Sequence, residues 1–180
     1  MQVITTPLSG LFVIQPKVFE DPRGYFFESY NKNIFAKHGI AEEFVQDNES
    51  LSQKGVLRGL HFQNPPYAQA KLVRVIAGAV LDVAVDIRKK SPTYGKHFSL
   101  TLSASNKTML YLPVGFAHGF SVLEDNTIFS YKCSGTYNKQ SEDAILWCDN
   151  DLAIDWGIKN PIFSEKDGAA KRFKDFESKF

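Results

Sequence analysis

Cysteine is scarce in this chain, which limits the kinds of site it can contain. Cys133 and Cys148 are the only cysteines among 180 residues, and no Cys-x-x-Cys spacing occurs. Two isolated thiols are too few for a disulfide framework or a cysteine-ligated zinc site, so we expect both to be reduced and mostly buried. The four histidines also lack the His-x-His spacing of many β-barrel metal centres. We therefore expect no metal and no disulfide.

An excess of charge and a long apolar run are missing as well. The 21 basic and 20 acidic residues leave a net charge of +1, which gives no overall attraction to nucleic acid or anionic lipid. No apolar stretch approaches the length that crosses a bilayer, and residues 1–7 lack the basic and apolar segments of a signal peptide. We expect a cytoplasmic protein that binds neither nucleic acid nor membrane.

Several catalytic motifs are absent too. The chain has no glycine-rich phosphate loop, no Gly-x-Ser-x-Gly and no cysteine–histidine pattern of a thiol enzyme. These absences disfavour a nucleophilic hydrolase.

Short apolar runs separated by turn signals fill most of the sequence. They predict strands at 11–19, 25–30, 43–49, 56–63, 71–77, 79–87, 97–103, 108–112, 117–123, 127–133 and 144–147. Many short strands with frequent turns predict an all-β antiparallel sandwich or barrel. A short helix is expected at 31–38, capped by Asn31 and ended by Gly39, and a helical tail at 164–180. We expect one domain over 1–180, with its core at about 11–163.

The segment from Gly55 to Gln63 carries the strongest functional signal. It places Arg58 and His61 in one predicted strand, and Lys71 opens the next. A general base beside fixed positive charge is suited to remove a proton from a carbon next to a carbonyl. Buried together, these residues would need a bound anion or nearby carboxylates. The candidate carboxylates are Glu28, Asp82, Asp86, Glu142 and Asp167.

Each of these residues also has a structural interpretation. A strand histidine such as His61 or His118 is often a hydrogen-bonded core residue, and Arg58 and Lys71 fit a solvated sheet face. Tyr131 shares a face with Phe129 and could simply pack. Gly119, which follows His118, would allow a ligand to approach the backbone closely.

The order of these motifs resembles one known family, the dTDP-4-dehydrorhamnose 3,5-epimerases. The resemblance runs from Leu11 to about Asp167 and rests on several blocks in sequence. They are Asp21–Glu28, Phe44–Asn48, Gly55–Gln63, Ala68–Arg74, Asp82–Arg88, Ser91–Gly95, Pro113–Phe120, Tyr131–Lys132 and Leu152–Trp156. One departure is Phe62, where relatives often have tyrosine.

The resemblance implies a cupin-type jelly roll that acts as a homodimer without metal or organic cofactor. Its substrate would be a dTDP-linked 4-keto-6-deoxy sugar, epimerised at carbons 3 and 5 in dTDP-L-rhamnose biosynthesis. His61 would accept the proton, Tyr131 would donate one from the opposite face, Asp167 would orient His61, and Lys71 would face the enolate oxygen. The implied substrate-binding residues are Arg23, Glu28, Gln46, Asp47, Asn48, Arg58, Lys71, His118, Tyr137, Glu142 and Lys166.

Related activities fit the same motifs. A mono-epimerase or a 3,4-ketoisomerase would share the nucleotide-sugar site, and a metal-dependent or non-catalytic sugar-binding cupin would share the fold. The presence of both His61 and Tyr131 favours epimerisation, but it does not distinguish one centre from two. The family assigns no role to the phenylalanine-rich tail after Asp167.

Overall fold

The protein is described by a computed structural model that covers residues 1–180. Its strands are β1 Gln2–Thr5, β2 Phe12–Gln15, β3 Phe19–Asp21, β4 Gly24–Phe26, β5 Gln46–Ser52, β6 Leu57–Gln63, β7 Lys71–Ala77, β8 Ala79–Asp86, β9 His97–Ser103, β10 Met109–Leu112, β11 Phe116–Val122, β12 Thr127–Cys133 and β13 Glu142–Ala144. The helices are α1 Lys32–Lys37 and α2 Glu165–Gly168, and Phe173–Asp175 forms a 3-10 turn. None of these helices has the length and apolar character needed to cross a membrane.

The strands form two antiparallel sheets and a separate hairpin. The first sheet has the order β1-β2-β10-β7-β12-β5, the second has the order β13-β6-β11-β8-β9, and β3 pairs with β4. Strands distant in sequence are neighbours in both sheets, which is the connectivity of a double-sheet jelly roll. The prediction of an all-β antiparallel fold is confirmed.

Alternation along the strands places the main core between the two sheets. Val73 and Phe129 of the first sheet pack with Phe120 of the second in this core. Leu72, next to Val73, points to the outer side of the first sheet and packs with Phe35 of α1. Successive strand residues point to opposite faces, so an apolar residue at both positions buries both sides of a sheet.

A third cluster covers the outer side of the second sheet. Phe62 of β6 and Val85 of β8 pack there against Trp156 and Phe176 from the C-terminal part of the chain. The second sheet is therefore buried on both faces, one toward the first sheet and one toward the C-terminal segment.

Local predictions match the structure at several elements. Asn31 caps α1, with its side-chain oxygen accepting from the backbone N–H of Asn33 and Ile34. Strands β7, β9 and β12 have the predicted bounds. Strand β1 was not predicted, and its residues are mostly exposed, so it lacks a buried alternation that a pattern search would detect.

The prediction of a helical tail was wrong over most of its length. Within 164–180 only α2 is α-helical, and the rest is a 3-10 turn and irregular chain. Phe173, Phe176 and Phe180 have helix-like spacing, but each packs against the second sheet or its connections. Burial of these rings overrides the local helical preference.

The two cysteines differ in exposure. Cys133 is buried as expected, whereas Cys148 is exposed, so the expectation of burial was wrong for Cys148.

Candidate active site

His61 and His118 lie side by side on the inner face of the second sheet. They are directly opposite each other in the pairing of β6 with β11, so their side chains point to the same side. The ring of His118 stacks on Phe129 of the first sheet at 6.0 Å between centroids. Both histidines therefore face the space between the sheets.

Each of the two histidines has a carboxylate partner. His61 Nε2 lies 2.5 Å from Asp167 Oδ1, and His118 Nε2 lies 2.9 Å from Asp82 Oδ2. A carboxylate can only accept, so in the neutral imidazole the facing ring nitrogen carries the proton and the other nitrogen keeps its lone pair. This is the arrangement in which an imidazole can act as a base.

Asp167 is held for this contact by the short helix α2. Ser164 caps the helix through a hydrogen bond from the Asp167 backbone N–H to its Oγ, at 3.2 Å. The Asp167 side chain is only 4% exposed. Burial alone would raise the pKa of Asp167, but the hydrogen bond and charge of His61 outweigh it and hold the pKa below its usual value. Asp167 is thus an anion beside His61 at neutral pH.

Tyr131 and Lys71 face the histidines from the first sheet. Tyr131 is two residues from the inward-facing Phe129 and lies 6.0 Å from it between ring centroids. Lys71 is directly opposite Cys133, which is two residues from Tyr131, so all three share the inner face. Lys71 Nζ lies 5.8 Å from the centre of the Tyr131 ring.

Burial changes the pKa of both Lys71 and Tyr131. Removal from water lowers the pKa of Lys71, against the opposing effects of Cys133 and Asp82. Burial has the opposite effect on Tyr131: it raises the pKa of this phenol, which keeps its proton at neutral pH. Lys71 forms no ion pair or side-chain hydrogen bond within the chain, and its ammonium group lies on the inner face near the Tyr131 ring.

A bulge in β6 brings Arg58 to the same face as His61. Residues three apart on a regular strand point to opposite faces, but here Arg58 pairs with Phe120 while His61 pairs with His118. Phe120 and His118 are two apart and share a face, so one extra residue on β6 turns Arg58 inward. Arg58 lies at the open rim rather than buried, and Nε and Nη2 donate to Ser52 Oγ at 3.2 Å. Arg58 is therefore exposed, as a solvated sheet face would allow, although its side chain reaches Ser52 of the first sheet.

The bulge depends on two glycines that touch. A Cβ at Gly59 would lie 2.5 Å from Gly119 Cα, closer than any side-chain carbon can approach. Glycine in the segment Pro113–Phe120 was expected to allow a ligand near the backbone, but at Gly119 the space is filled by the neighbouring strand.

A hydrogen-bonded group at the rim joins five of the remaining candidates. Gln46 Nε2 donates to Asn48 Oδ1 at 2.9 Å, and Gln46 Oε1 accepts from the Tyr137 backbone N–H at 2.9 Å. The Tyr137 hydroxyl donates to Glu142 at 2.9 Å, and Glu142 pairs with Lys166 at 2.5 Å. Lys166 is in α2, next to Asp167, so this group adjoins the His61 pair.

Three candidates lie outside this arrangement. Asp47 points to the opposite face of β5 from its neighbours Gln46 and Asn48, and it pairs with Lys132 at 2.9 Å. It therefore lies outside the hydrogen-bonded group at the rim. Arg23 is at the tip of the β3–β4 hairpin, 90% exposed and paired with Asp21. Glu28 is exposed and accepts from Asn31. Within one chain these three do not meet the inner-face residues.

Sequence reasoning did not single out three residues of the site. Asp82 was one of five candidate carboxylates, and only strand pairing shows that it serves His118. Ser52 binds Arg58 across the sheets, and Cys133 receives a hydrogen bond on Sγ from Asn48 Nδ2 at 3.6 Å. The even spacing of Tyr131 and Cys133 was the one available signal. No group of three or more His, Cys, Asp or Glu side chains is placed to hold a metal.

The fold and the histidine-lined space between its sheets are those of a cupin-type enzyme. A family model described as dTDP-4-dehydrorhamnose 3,5-epimerase matches residues 5–175. The chain therefore belongs to the dTDP-4-dehydrorhamnose 3,5-epimerase family, as its motifs predicted.

Individual relatives agree with this membership. The chain is 52% identical to the dTDP-4-dehydrorhamnose 3,5-epimerase of Shigella flexneri, over 97% of each chain. The crystal structure of the enzyme of that name from Elizabethkingia anophelis is 52% identical, covers 97% of both chains and has a TM-score of 0.93. A Legionella pneumophila epimerase in complex with dTDP-4-keto-L-rhamnose is 47% identical, covers 98% of this chain and 94% of its own, and has a TM-score of 0.94.

Proposed function

We propose that this enzyme converts dTDP-4-dehydro-6-deoxy-D-glucose into dTDP-4-dehydro-β-L-rhamnose by exchanging protons at carbons 3 and 5. The observation that carries this proposal is the pair of opposed faces: His61 with Asp167 on one sheet, and Tyr131 with Lys71 on the other. Inversion at carbon needs a base on one side of the sugar ring and an acid on the other. The Legionella relative bound to dTDP-4-keto-L-rhamnose supports this substrate class.

The proposed chemistry balances at each carbon. His61 takes the proton from carbon 3 or carbon 5, and the electron pair moves through the new carbon–carbon double bond onto the carbonyl oxygen. Lys71 stabilises that enolate charge, which in a dry site contributes several kcal/mol. Tyr131 then protonates the carbon from the other face, and the imidazolium and phenolate exchange protons with water before the next step. Both carbons flank one carbonyl, so one cation serves both exchanges.

The rim residues would hold the nucleotide. Arg58 has no carboxylate partner, and its planar guanidinium suits diphosphate oxygens. Tyr137 is exposed at the rim and would stack on the base, beside Gln46 and Asn48. His118 would hydrogen-bond the sugar, with Asp82 fixing its orientation.

Exchange with solvent deuterium tests the proposal. In deuterium oxide the enzyme should label carbons 3 and 5 of the 4-keto sugar nucleotide. His61→Ala should lose turnover by a factor of about 10³ or more with the fold intact, since proton transfer by a placed base contributes 10²–10⁴-fold. Tyr131→Phe should still bind the nucleotide and should reprotonate slowly. Label at neither carbon, or full activity in His61→Ala, would overturn the proposed mechanism.

Epimerisation at a single carbon is the second candidate function. A 3'-monoepimerase from Streptomyces bikiniensis shares the fold, with a TM-score of 0.88 and 31% identity over 94% of this chain. The same deuterium experiment separates the two, because a mono-epimerase would label one carbon only. For a metal-dependent cupin, metal analysis of the purified protein would find a stoichiometric ion.

We also propose that residues 1–180 act as one epimerase domain that forms a homodimer in the cytoplasm. Phe19, Tyr25 and Phe26 of the β3–β4 hairpin are more than half exposed, and such apolar surface favours an interface. Pairing would bring the otherwise isolated Arg23 and Glu28 near a second site. Sedimentation should give twice the 20.3 kDa of the chain, and a monomer at assay concentrations would contradict the dimer. Two free thiols fit a reducing compartment.

A further inference from the structure

The aromatic tail after Asp167 lies behind the strand that carries His61. Phe176 and Phe180 both contact Phe62, with ring centroids 5.3 Å and 6.2 Å away in edge-to-face arrangements. Phe62 directly follows His61 on β6 and points to the opposite face of the sheet. Phe62 therefore links the two parts: its backbone adjoins His61 in the strand, and its ring is covered by the tail.

The backbone of the segment that carries Asp167 is hydrogen-bonded to the second sheet or its connections on either side of α2. Before α2, Ile162 bridges the start of β6, with the Leu57 N–H donating to the Ile162 carbonyl at 2.8 Å. After α2, Lys171 bridges the chain just beyond β13, with the Leu146 N–H donating to its carbonyl at 2.7 Å. Between these points, the polar contacts of α2 with the sheet are the Asp167–His61 and Lys166–Glu142 pairs.

Beyond Lys171, the tail is held by a series of further contacts. The Phe173 N–H donates to Asp149 Oδ2 at 2.8 Å, and the Phe173 ring packs on Tyr94 at 5.1 Å. Ser178 Oγ donates to the Ile87 carbonyl, and the Lys89 N–H donates to the Phe180 carbonyl at 3.1 Å. These contacts extend the tail across the back of the second sheet instead of leaving it in solvent.

We propose that Phe176 and Phe180 are positioning residues that keep His61 and Asp167 in register. The rings fill the space behind Phe62, which prevents β6 from moving away from the interior, and they keep the chain after Lys171 on the sheet, which steadies α2. The aromatic contact thus acts on both halves of the His61–Asp167 pair, on His61 through its neighbour Phe62 and on Asp167 through the chain after Lys171. The inference rests on the proposed role of His61 as the base.

Small displacements of a catalytic pair have large effects on rate. A shift of about 1 Å at a reacting group can reduce turnover by about 10²-fold. Removal of the Phe176 ring should therefore lower kcat by about tenfold or more. The rim proposed to bind the nucleotide is left unchanged, so the dissociation constant for dTDP should stay within about twofold. Simple loss of stability would lower the fraction folded without changing the kcat of the folded enzyme.

The test compares Phe176→Ala with Phe98→Ala as a matched control. Phe98 is a partly buried phenylalanine of β9, and β11 and β8 lie between its strand and β6. Both variants are assayed well below their melting temperatures, with dTDP affinity and amide hydrogen exchange measured alongside. Phe176→Leu, which keeps most of the apolar volume, should recover most of the rate and replaces Phe176→Ala if that variant does not fold.

The expected result is a loss of kcat in Phe176→Ala, with faster exchange of the Asp167, Gly168 and Ala169 amides and unchanged dTDP binding. Phe98→Ala should show neither change. Equal kcat in the two variants, or unchanged exchange at 167–169, would overturn the positioning role. His61→Ala in the same series distinguishes failure of the proposed function from failure of the positioning role. If His61→Ala retains turnover, the proposed base is wrong. If His61→Ala is inactive while Phe176→Ala keeps its full rate, only the role of the tail is wrong.

Discussion

Lys71 is a half-buried lysine that forms no salt bridge within the chain. Its ammonium group points into the space between the sheets near Tyr131, and burial lowers its pKa. A lysine whose folded pKa lies below its unfolded value of 10.5 opposes folding at neutral pH, because its charged form is less stable in the fold than in the unfolded chain. Between those two pKa values the unfolded chain binds more protons, so the free energy of unfolding rises with pH. Such a residue is retained for chemistry rather than stability.

Replacement of Lys71 by methionine should separate these two roles. Lys71→Met keeps the side-chain volume and removes the charge, so we expect the free energy of unfolding to rise by about 1 kcal/mol. Turnover should fall by about 10²-fold or more, because the enolate loses its stabilising cation. Urea titration and steady-state kinetics measure the two effects.

Lys132→Met is the matched control for this experiment. Lys132 is in β12 and pairs with the exposed Asp47, so its substitution should change stability by less than about 1 kcal/mol and leave kcat unchanged. If Lys71→Met were less stable than the native protein, the attraction of Asp82 and Glu142 for the ammonium group would outweigh the cost of its burial.

Among the elements, β6 depends on the close contact of its Gly59 with Gly119 of β11. Gly59 has φ +141°, and an added Cβ would meet the backbone of Gly119 at 2.5 Å. Gly59→Ala must therefore push β6 and β11 apart, at the point where Arg58 and His61 are brought to one face. We expect a loss of more than about 3 kcal/mol of stability, together with loss of turnover in whatever protein folds.

Gly55→Ala provides the control for that substitution. Gly55 lies just before β6 with φ +87°, but nothing lies within 4 Å of its added Cβ. It should carry only the backbone cost of about 1 kcal/mol and remain active. Equal destabilisation of the two variants, measured by thermal unfolding, would show that close packing of β6 on β11 is unimportant.

The strands were predictable because alternation and turn residues are local signals. Strand β9 shows this, since Phe98, Leu100 and Leu102 alternate with polar residues and the element has the predicted bounds. The tail was mispredicted because its phenylalanines have helical spacing while their packing partners, Phe62 and Tyr94, are distant in sequence. Local pattern cannot reveal such a partner.

The site was predictable in its residue types and, through the family motifs, in the pairing of Asp167 with His61, but not in its other pairings. His61, Tyr131 and Lys71 follow from the family motifs, and alternation explains why Tyr131 and Phe129 share a face. Arg58 lies on the same face only because β6 has one extra residue. Asp82 pairs with His118 because of the register of β8 with β11. Both are properties of pairing between strands, which no segment encodes alone.

For the whole molecule, acid stability should depend strongly on Asp86 at the end of β8. Its fully buried carboxylate accepts hydrogen bonds from Arg88, Ser91 and Thr93 and lies close to where the tail meets the sheet. Burial alone would raise the pKa of Asp86, but these bonds outweigh it and lower the pKa from 3.8 to about 2. A carboxyl with a lowered folded pKa stabilises the protein fully above its unfolded pKa.

That contribution is lost as the pH falls from 3.8 through about 2, where the folded carboxylate also becomes protonated. The shift corresponds to about 2 kcal/mol at neutral pH. We therefore expect the free energy of unfolding of Asp86→Asn to be about 2 kcal/mol lower at pH 7 than that of the native protein. It should also change less with pH between about 4 and 2. Asp21→Asn is the control, because Asp21 is exposed on the hairpin and its pairing with Arg23 should add nothing measurable. If urea unfolding at several pH values gave parallel curves for Asp86→Asn and the native protein, the buried carboxylate would not be the source of acid sensitivity.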